Sequence, residues 1–455
     1  MRTRRLSALA FLTAVPALGL PAAFPRADDR ASKPVALPVK ERVAEVNKLI
    51  ADNLGQLETF YKHVHSHPEL SFQEVRTAAR LAKELRDAGF EVTEKFGGTG
   101  VVGVLKNGKG PTLLIRTDMD ALPVIERTGL PYASMVRVRD RGGREVGVMH
   151  ACGHDMHMTC FVGVARVLAA MKGRWSGTLV MIGQPAEEIG AGARRMLADG
   201  LFKNFPRPDY GLALHCDSNR PHGSIAYTEG LALANVDSVD ITVRGKGGHG
   251  AAPHTTIDPV VIAARIVLDL QTLVSRETNP TDPAVVTVGS IHGGSKHNVI
   301  PNEVKLQLTV RSTKDAVRKH LLDGIKRVAD AAAAAAGAPK PEVKVDPEEF
   351  TPALLNDPAL TRKTVALFKE VLGPDKVLER PAVMGGEDFG RYGREGVPIF
   401  LYFLGTVAPE RVAEAARTGK PLPSLHSDLF YPVPEPSIKT GVLTMSLAAL
   451  NLLGK

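Results

Sequence analysis

Apolar residues recur along this chain with two different periods. From about residue 41 to 64, and again in "EVRTAARLAKELRDAG" (74–89), they return every three or four positions, the spacing of a helix with one buried face, and Gly89 supplies a stop. Short β-rich runs follow, "EVTEKF", "GVVGVLK" and "PTLLIRTD", parted by glycine turns. "MTCFVGVARVLAAMKG" returns to helical spacing and ends at Gly173. "GTLVMIGQ" reads as a strand buried on both faces and runs into "PAEEIGAGARRMLADG", which reads as a helix. "DYGLALHC" and "VPIFLYFLG" are two further apolar strands. Apolar strands alternating with helices predict an α/β domain whose mixed, mostly parallel sheet is flanked by helices.

The pattern changes near residue 235. "DSVDITVRG", a helix "DPVVIAARIVLDLQTLV", the strands "AVVTVGSIHGG" and "EVKLQLTVRS", a helix "DAVRKHLLDGIKRVADAAAAAAG" and "PEVKVD" give the order β-α-β-β-α-β, a two-layer α+β unit. The alanine run favours helix, and Gly337 ends it. The α/β pattern resumes at about 350. The expected organisation is therefore a first catalytic part over 41–234, an inserted domain over 235–348 and a second catalytic part over 349–455.

What precedes residue 41 has another character. "MRTRR" followed by "LSALAFLTAVPALGL" is the basic-then-apolar pattern of an export signal, expected over 1–27, and 28–40 reads as a linker. "TRRLS" partly resembles a twin-arginine signal. An exported protein, periplasmic or secreted, is the expectation. No later segment is apolar enough to span a bilayer, so no stable membrane association is expected once the signal is removed. Removing residues 1–27 takes away four arginines and no acid, which lowers the formal charge from +8 to +4 and gives no reason to expect nucleic acid as a partner. Three cysteines are too few for a disulfide scaffold.

In open parallel sheets, reactive groups gather beyond the carboxyl ends of the strands. Four chemically loaded segments fall there: Asp118 and Asp120 after "PTLLIRT", Glu187 and Glu188 after "GTLVMIGQPA", His215 ending "DYGLALH", and "HACGHDMHM" at 150–158. Thiolate, imidazole and carboxylate together suit a divalent transition metal rather than Mg²⁺ or Ca²⁺. Gly153 lets Cys152 and His154 converge on one point. His157 would share a helix face with His154, as a ligand or a support. Asp155 would sit in the first helical turn, where the dipole favours a carboxylate without any chemistry. A competing reading makes Cys152 a nucleophile with His154 as its base. Adjacent residues in a loop point apart, so one glutamate of "PAEE" can bind metal while the other faces water as a general base.

"RTDMDALP", "HACGHDMHM", "QPAEE", "GKGGHGAAPH", "HNVIPNEV", "TVRSTKDAVR" and "MGGEDFG", in this order, resemble the amidohydrolase branch of the dinuclear-metal aminoacylase/carboxypeptidase family, over roughly residues 41–450. That branch includes hippurate hydrolases and indoleacetyl-amino-acid hydrolases. The resemblance implies that Cys152, His154, Glu188, His215 and His426 bind two divalent metal ions per subunit, Mn or Zn in the first place and Co or Ni otherwise. It implies Glu187 as general base and Asp118 as the carboxylate that orients a ligand imidazole. It implies that His249 reaches the scissile carbonyl, in this family from the partner subunit of a homodimer formed through the inserted lid domain. Asn298 and Arg311 would hold the substrate's free carboxylate, and Glu387 with Asp388 would support the site from behind.

The expected reaction is hydrolysis of a small N-acyl amino acid to a carboxylic acid and a free amino acid. The alternatives are a dipeptidase or carboxypeptidase of the same family, and a non-catalytic binding protein on this scaffold. The chain departs from the family in one place. "CDSNRPHG" after His215 is polar where relatives are apolar, and this segment is expected to line the acyl pocket, with Cys216 facing away from His215.

Overall fold

Strands buried on both faces stand at the centre of the molecule. Ile399–Val407 is buried at every position and Gly177–Gln184 at nearly every one. In the computed structural model, which describes residues 38–140 and 142–454, they belong to an eight-stranded sheet. Residues 1–37, which hold the expected export signal and most of the expected linker, lie outside the described residues.

The sheet runs in the order Glu91–Phe96, Gly100–Asn107, Gly177–Gln184, Thr112–Asp118, Tyr210–Pro221, Ile399–Val407, Ile225–Tyr227, Val377–Glu379. The four strands from Gly177–Gln184 to Ile399–Val407 run parallel, with antiparallel pairs on either side of them. Helices Val39–Ser66, His154–Ala170 and Pro434–Leu453 pack together on a core that includes Leu57, Phe60, Leu168, Phe400 and Leu447. A second core, with Val180, Ile182, Met196, Tyr392 and Leu401, fills the other side of the sheet. Burying a leucine or phenylalanine of this kind stabilises by roughly 1.5–3 kcal/mol, so the sheet is a stiff platform for what its strand ends carry.

The middle of the chain forms a separate four-stranded antiparallel sheet, in the order Ala284–Gly293, Glu303–Ser312, Asn235–Arg244, Glu342–Val345. Helices Pro259–Thr272 and Asp315–Ala335 close its core of Val239, Ile241, Ile266, Leu306, Leu321 and Ile325. Asp258 caps the first of these helices by accepting the Val260 N–H, and Pro259 opens it. The observed order is the β-α-β-β-α-β read from the pattern. Among the described residues no helix is long and apolar enough to cross a membrane.

The structure departs from the expected elements at two places that matter for the site. "PAEE" does not begin a helix: residues 185–191 form a turn, and the helix is Gly192–Ala198. Ala186 holds a left-handed backbone (φ +51), and the N–H groups of Glu187 and Glu188 are taken by Asp120 rather than left to open a helix. The strand beginning "DYGLALHC" also runs further than expected, to Pro221, through its pairing with Ile399–Val407.

Candidate metal centre

The carboxyl ends of the parallel strands bring the expected donors together. Sγ of Cys152 and ring nitrogens of His154 and His215 lie within 4.8 Å of one another, and so do Cys152, Glu188 and His426. His154, Glu187 and Glu188 form a third such group. Five donors from four separate segments therefore make two trios that share the Cys152 sulfur.

Backbone groups orient the rings. His154 donates Nδ1–H to the Asp120 carbonyl at 2.8 Å, and His215 donates Nδ1–H to the Cys216 carbonyl at 2.9 Å. Both donations fix the tautomer with a lone pair on Nε2. Nε2 of His215 lies 3.4 Å from Cys152 Sγ. Nε2 of His154 is buried without a hydrogen-bond partner, as is Oε1 of Glu188. His426 sits in an exposed turn with φ +68, its N–H donated to the Ala151 carbonyl and its Nε2 3.4 Å from Glu188 Oε2. Gly153, at φ +85, makes the Cys152–His154 bend, and a Cβ there would lie 2.8 Å from Cys216 Sγ. Cys216 is thus a buried thiol packed behind the loop, as its alternation with His215 requires.

Electrostatics point to missing positive charge. Burial, with Glu387, Glu188 and Asp388 nearby, pushes the Glu187 carboxyl well above its ordinary range. Burial, with Asp120 and Asp118 close by, pushes Glu188 up to about 8 despite His154. A buried cluster with surplus carboxylate charge, unpartnered donor atoms and a thiol fits divalent transition-metal ions.

Asp118 stands elsewhere than expected. It accepts Nδ1–H of His157 at 2.7 Å, and the Cys216 N–H occupies the other nitrogen of that ring. With both nitrogens engaged, His157 supports the site rather than offering a donor. The two ligand-candidate rings take carbonyl partners, so Asp118 is left 3.7 Å from His154 Nε2. The same oxygen, Oδ2, accepts Arg116 Nη1–H at 2.7 Å, while Oδ1 serves His157. Arg116 is buried and also binds Glu387 at 2.8 Å and Asp388 at 3.0 Å, tying both acids of "GGEDFG" to the strand that carries Asp118.

Arg311 lines the same cleft and donates one N–H to the Met384 carbonyl, at 2.7 Å. His249 and Asn298 do not line it. They are exposed neighbours on the small domain, where Gly248–His249 pairs with Val299–Ile300.

Three positioning groups have roles that the sequence alone does not assign. Asp120 accepts the N–H groups of both Glu187 and Glu188 at 3.1 Å and the Ser71 hydroxyl at 2.6 Å. Glu74, fully buried, accepts the Ala186 N–H at 2.8 Å and holds the strained turn. Arg116 is the third. Asp120 and Arg116 stand at a strand end in "RTDMD", while nothing local points Glu74 at a distant turn.

Residues 114–417 match the family model described as peptidase family M20/M25/M40. The chain is 36% identical over 398 residues to thermostable carboxypeptidase 1 of Saccharolobus solfataricus, a span of 87% of this chain and 94% of the relative. It is 37% identical over 348 residues to hippurate hydrolase of Campylobacter jejuni, spanning 75% and 86% respectively. The crystal structure of the YXEP protein of Bacillus subtilis, described as a dinuclear metal binding peptidase from the M20 family, aligns with a TM-score of 0.69 at 30% identity, over 88% of this chain and 98% of that one.

Proposed function

The chain belongs to peptidase family M20/M25/M40, and from that membership we propose that it hydrolyses N-acyl amino acids to a carboxylic acid and a free amino acid. The observation that carries the reading is the pair of donor trios sharing Cys152, with Glu187 beside them in the cleft. Cys152, His154, Glu188, His215 and His426 would hold two divalent ions, with zinc, cobalt or nickel suited to the thiolate and manganese to the carboxylate. When bound, such ions supply Lewis acidity, which lowers the pKa of water from about 15.7 toward about 7 and polarises the amide carbonyl.

The chain's own groups do the rest. Glu187 accepts a proton from the attacking water and hands it to the leaving nitrogen, so that N–H forms as C–N breaks. Burial and the neighbouring carboxylates give it the proton affinity such a shuttle needs. Arg311 keeps donors of its planar fork free for the substrate's carboxylate, a role it would share with Asn298. Nδ1 of His249 accepts the Ala251 N–H, which leaves a proton on Nε2 to donate to the developing oxyanion. Because His249 and Asn298 lie outside this chain's own cleft, both would come from a second copy, dimerised through the inserted domain. The basic and apolar opening of the sequence supports export to the periplasm or beyond.

A peptidase reading has its own support in the long match to a carboxypeptidase. Both reactions release an amino acid with a free carboxylate and differ only in whether the acyl group carries an ammonium. Elemental analysis of the purified protein, with assays on acetyl, benzoyl and aminoacyl amides of one amino acid, separates them. Two ions per chain and release of amino acid from the acyl members is the expected result. Turnover of the aminoacyl member alone would replace this reading with the peptidase, and no turnover by the metal-loaded protein would leave a binding protein.

A further inference from the structure

The cleft has a second polar end. Beyond His215, the same strand presents buried Asp217 and exposed Asn219 to a cavity of about 490 Å³. Arg380, just past the edge strand Val377–Glu379, also lines the cavity and lays its guanidinium on the Phe403 ring, 3.9 Å from the centroid. Phe403 in turn stands beside His215, with ring centroids 6.2 Å apart. The stacking holds the guanidinium flat and leaves its edge for a partner.

Charge at this end does not balance. The Asp217 carboxylate serves two cations, Arg220 Nε at 3.2 Å and Arg380 Nη1 at 3.3 Å, and its other oxygen accepts the Asn219 N–H at 2.9 Å. One carboxylate between two guanidiniums leaves one positive charge over, and of the two arginines Arg380 is the one that lines the cavity. Among the described residues that 3.3 Å contact is the one hydrogen bond its guanidinium makes, so most of its fork is unused. The other acids of the cleft are committed elsewhere or exposed. Glu188 belongs to the donor trios and Glu187 stands beside them with His154, Glu387 is bound by Arg116, and Glu349 is exposed.

We propose that Arg380, with Asn219, forms an anion-binding acyl subsite, and that the preferred substrates are amino acids N-acylated by a short dicarboxylic acid. This rests on the N-acyl amino acid reading and narrows it: one carboxylate goes to Arg311, the other to Arg380, and the amide lies between them at the donor trios. The same positive charge disfavours the ammonium of a peptide.

The test uses the metal-loaded full chain and one amino acid carrying succinyl or butyryl, glutaryl or pentanoyl, pairs matched in length. We expect kcat/KM for the dicarboxylic members to exceed that of their neutral partners by about tenfold or more, as a charge-assisted bidentate contact implies. Arg380→Met is expected to bring the succinyl-to-butyryl ratio to about one, with Arg380→Lys keeping part of it, since a point charge replaces a fork. Succinate should also inhibit the unmutated enzyme competitively at lower concentration than butyrate, a readout that needs no variant to fold. Preference for butyryl or pentanoyl, or a ratio that Arg380→Met leaves unchanged, overturns the subsite while the amidohydrolase reading stands. Absence of turnover on every member overturns both.

Discussion

Two consecutive residues, His154 and Asp155, open the same helix and enter clusters of opposite character. His154 points a bare Nε2 at a thiol and two glutamates, and among the described residues no hydrogen bond satisfies it. Asp155 reaches His65, whose ring is filled on both sides, by Asp155 Oδ2 at 2.6 Å and Glu126 Oε1 at 3.0 Å. Glu126 is itself saturated by the Thr128 hydroxyl and the Ser134 N–H. Burial alone would lower the His65 pKa; hydrogen bonds and charge from Asp155 and Glu126 outweigh it and raise it to about 9. Both clusters set histidine against carboxylates, and the open one adds the Cys152 thiol and the exposed His426. What separates them is satisfaction: a closed ring of partners makes a clamp, and donors left short of partners make a place for something the chain does not itself contain.

The sharpest test of the open cluster is Glu187→Gln. Turnover should fall at least about 1,000-fold, on the order of 4 kcal/mol in the barrier, with metal content by elemental analysis unchanged. Near-normal turnover in a metal-replete variant sinks the assignment. In the closed cluster, His65→Leu would strand Asp155 and Glu126 as buried acids without their cation. A loss of roughly 3–5 kcal/mol in urea unfolding is expected. If that variant instead kept its stability and lost its metals, the two clusters would be one unit and the contrast would fail.

Metal removal should act on the open cluster only. With ions at about 100 to 1,000 times their dissociation constant, chelation should lower stability by roughly 3–4 kcal/mol, and re-addition should restore the melting temperature. A melting curve indifferent to chelator would mean that the trios hold no ion in the folded state. The smallest effect expected is in the pH dependence of the clamp. His65 has its folded pKa raised from 6.5 to about 9, so its stabilising contribution is complete below about pH 6.5 and is lost as pH rises through about 9. At about 1.4 kcal/mol per pH unit this is on the order of 3 kcal/mol at most. The stability gap between the unmutated protein and His65→Leu should therefore narrow across that window, and a gap that stayed flat instead would show His65 to be neutral in the fold.

The open cluster could be read from the sequence further than the closed one. Cys152 and His154 flank a glycine, Glu187 and Glu188 follow an apolar strand, and His215 ends another, so residue type and strand-end position already point at metal chemistry. His426 was reached only through resemblance, because a lone histidine in a turn far along the chain has no local signature. The clamp was invisible: His65, Glu126 and Asp155 come from three separate segments, and Asp155 read as a carboxylate favoured by a helix dipole. The roles of Glu74 and Asp120 are hidden for the same reason, since what they hold are backbone N–H groups of a distant turn. That turn also explains the false helix at "PAEE". Local propensity had no knowledge of Asp120 competing for its amides.

The rings of His154 and His215 are steered by the carbonyl oxygens of Asp120 and Cys216, atoms that every amino acid owns. Mutation can exchange the side chains at those two positions without deleting either acceptor. The aim of both imidazoles is thus written into the path of the polypeptide, and neighbouring residues can drift over generations while the rings keep facing the same way.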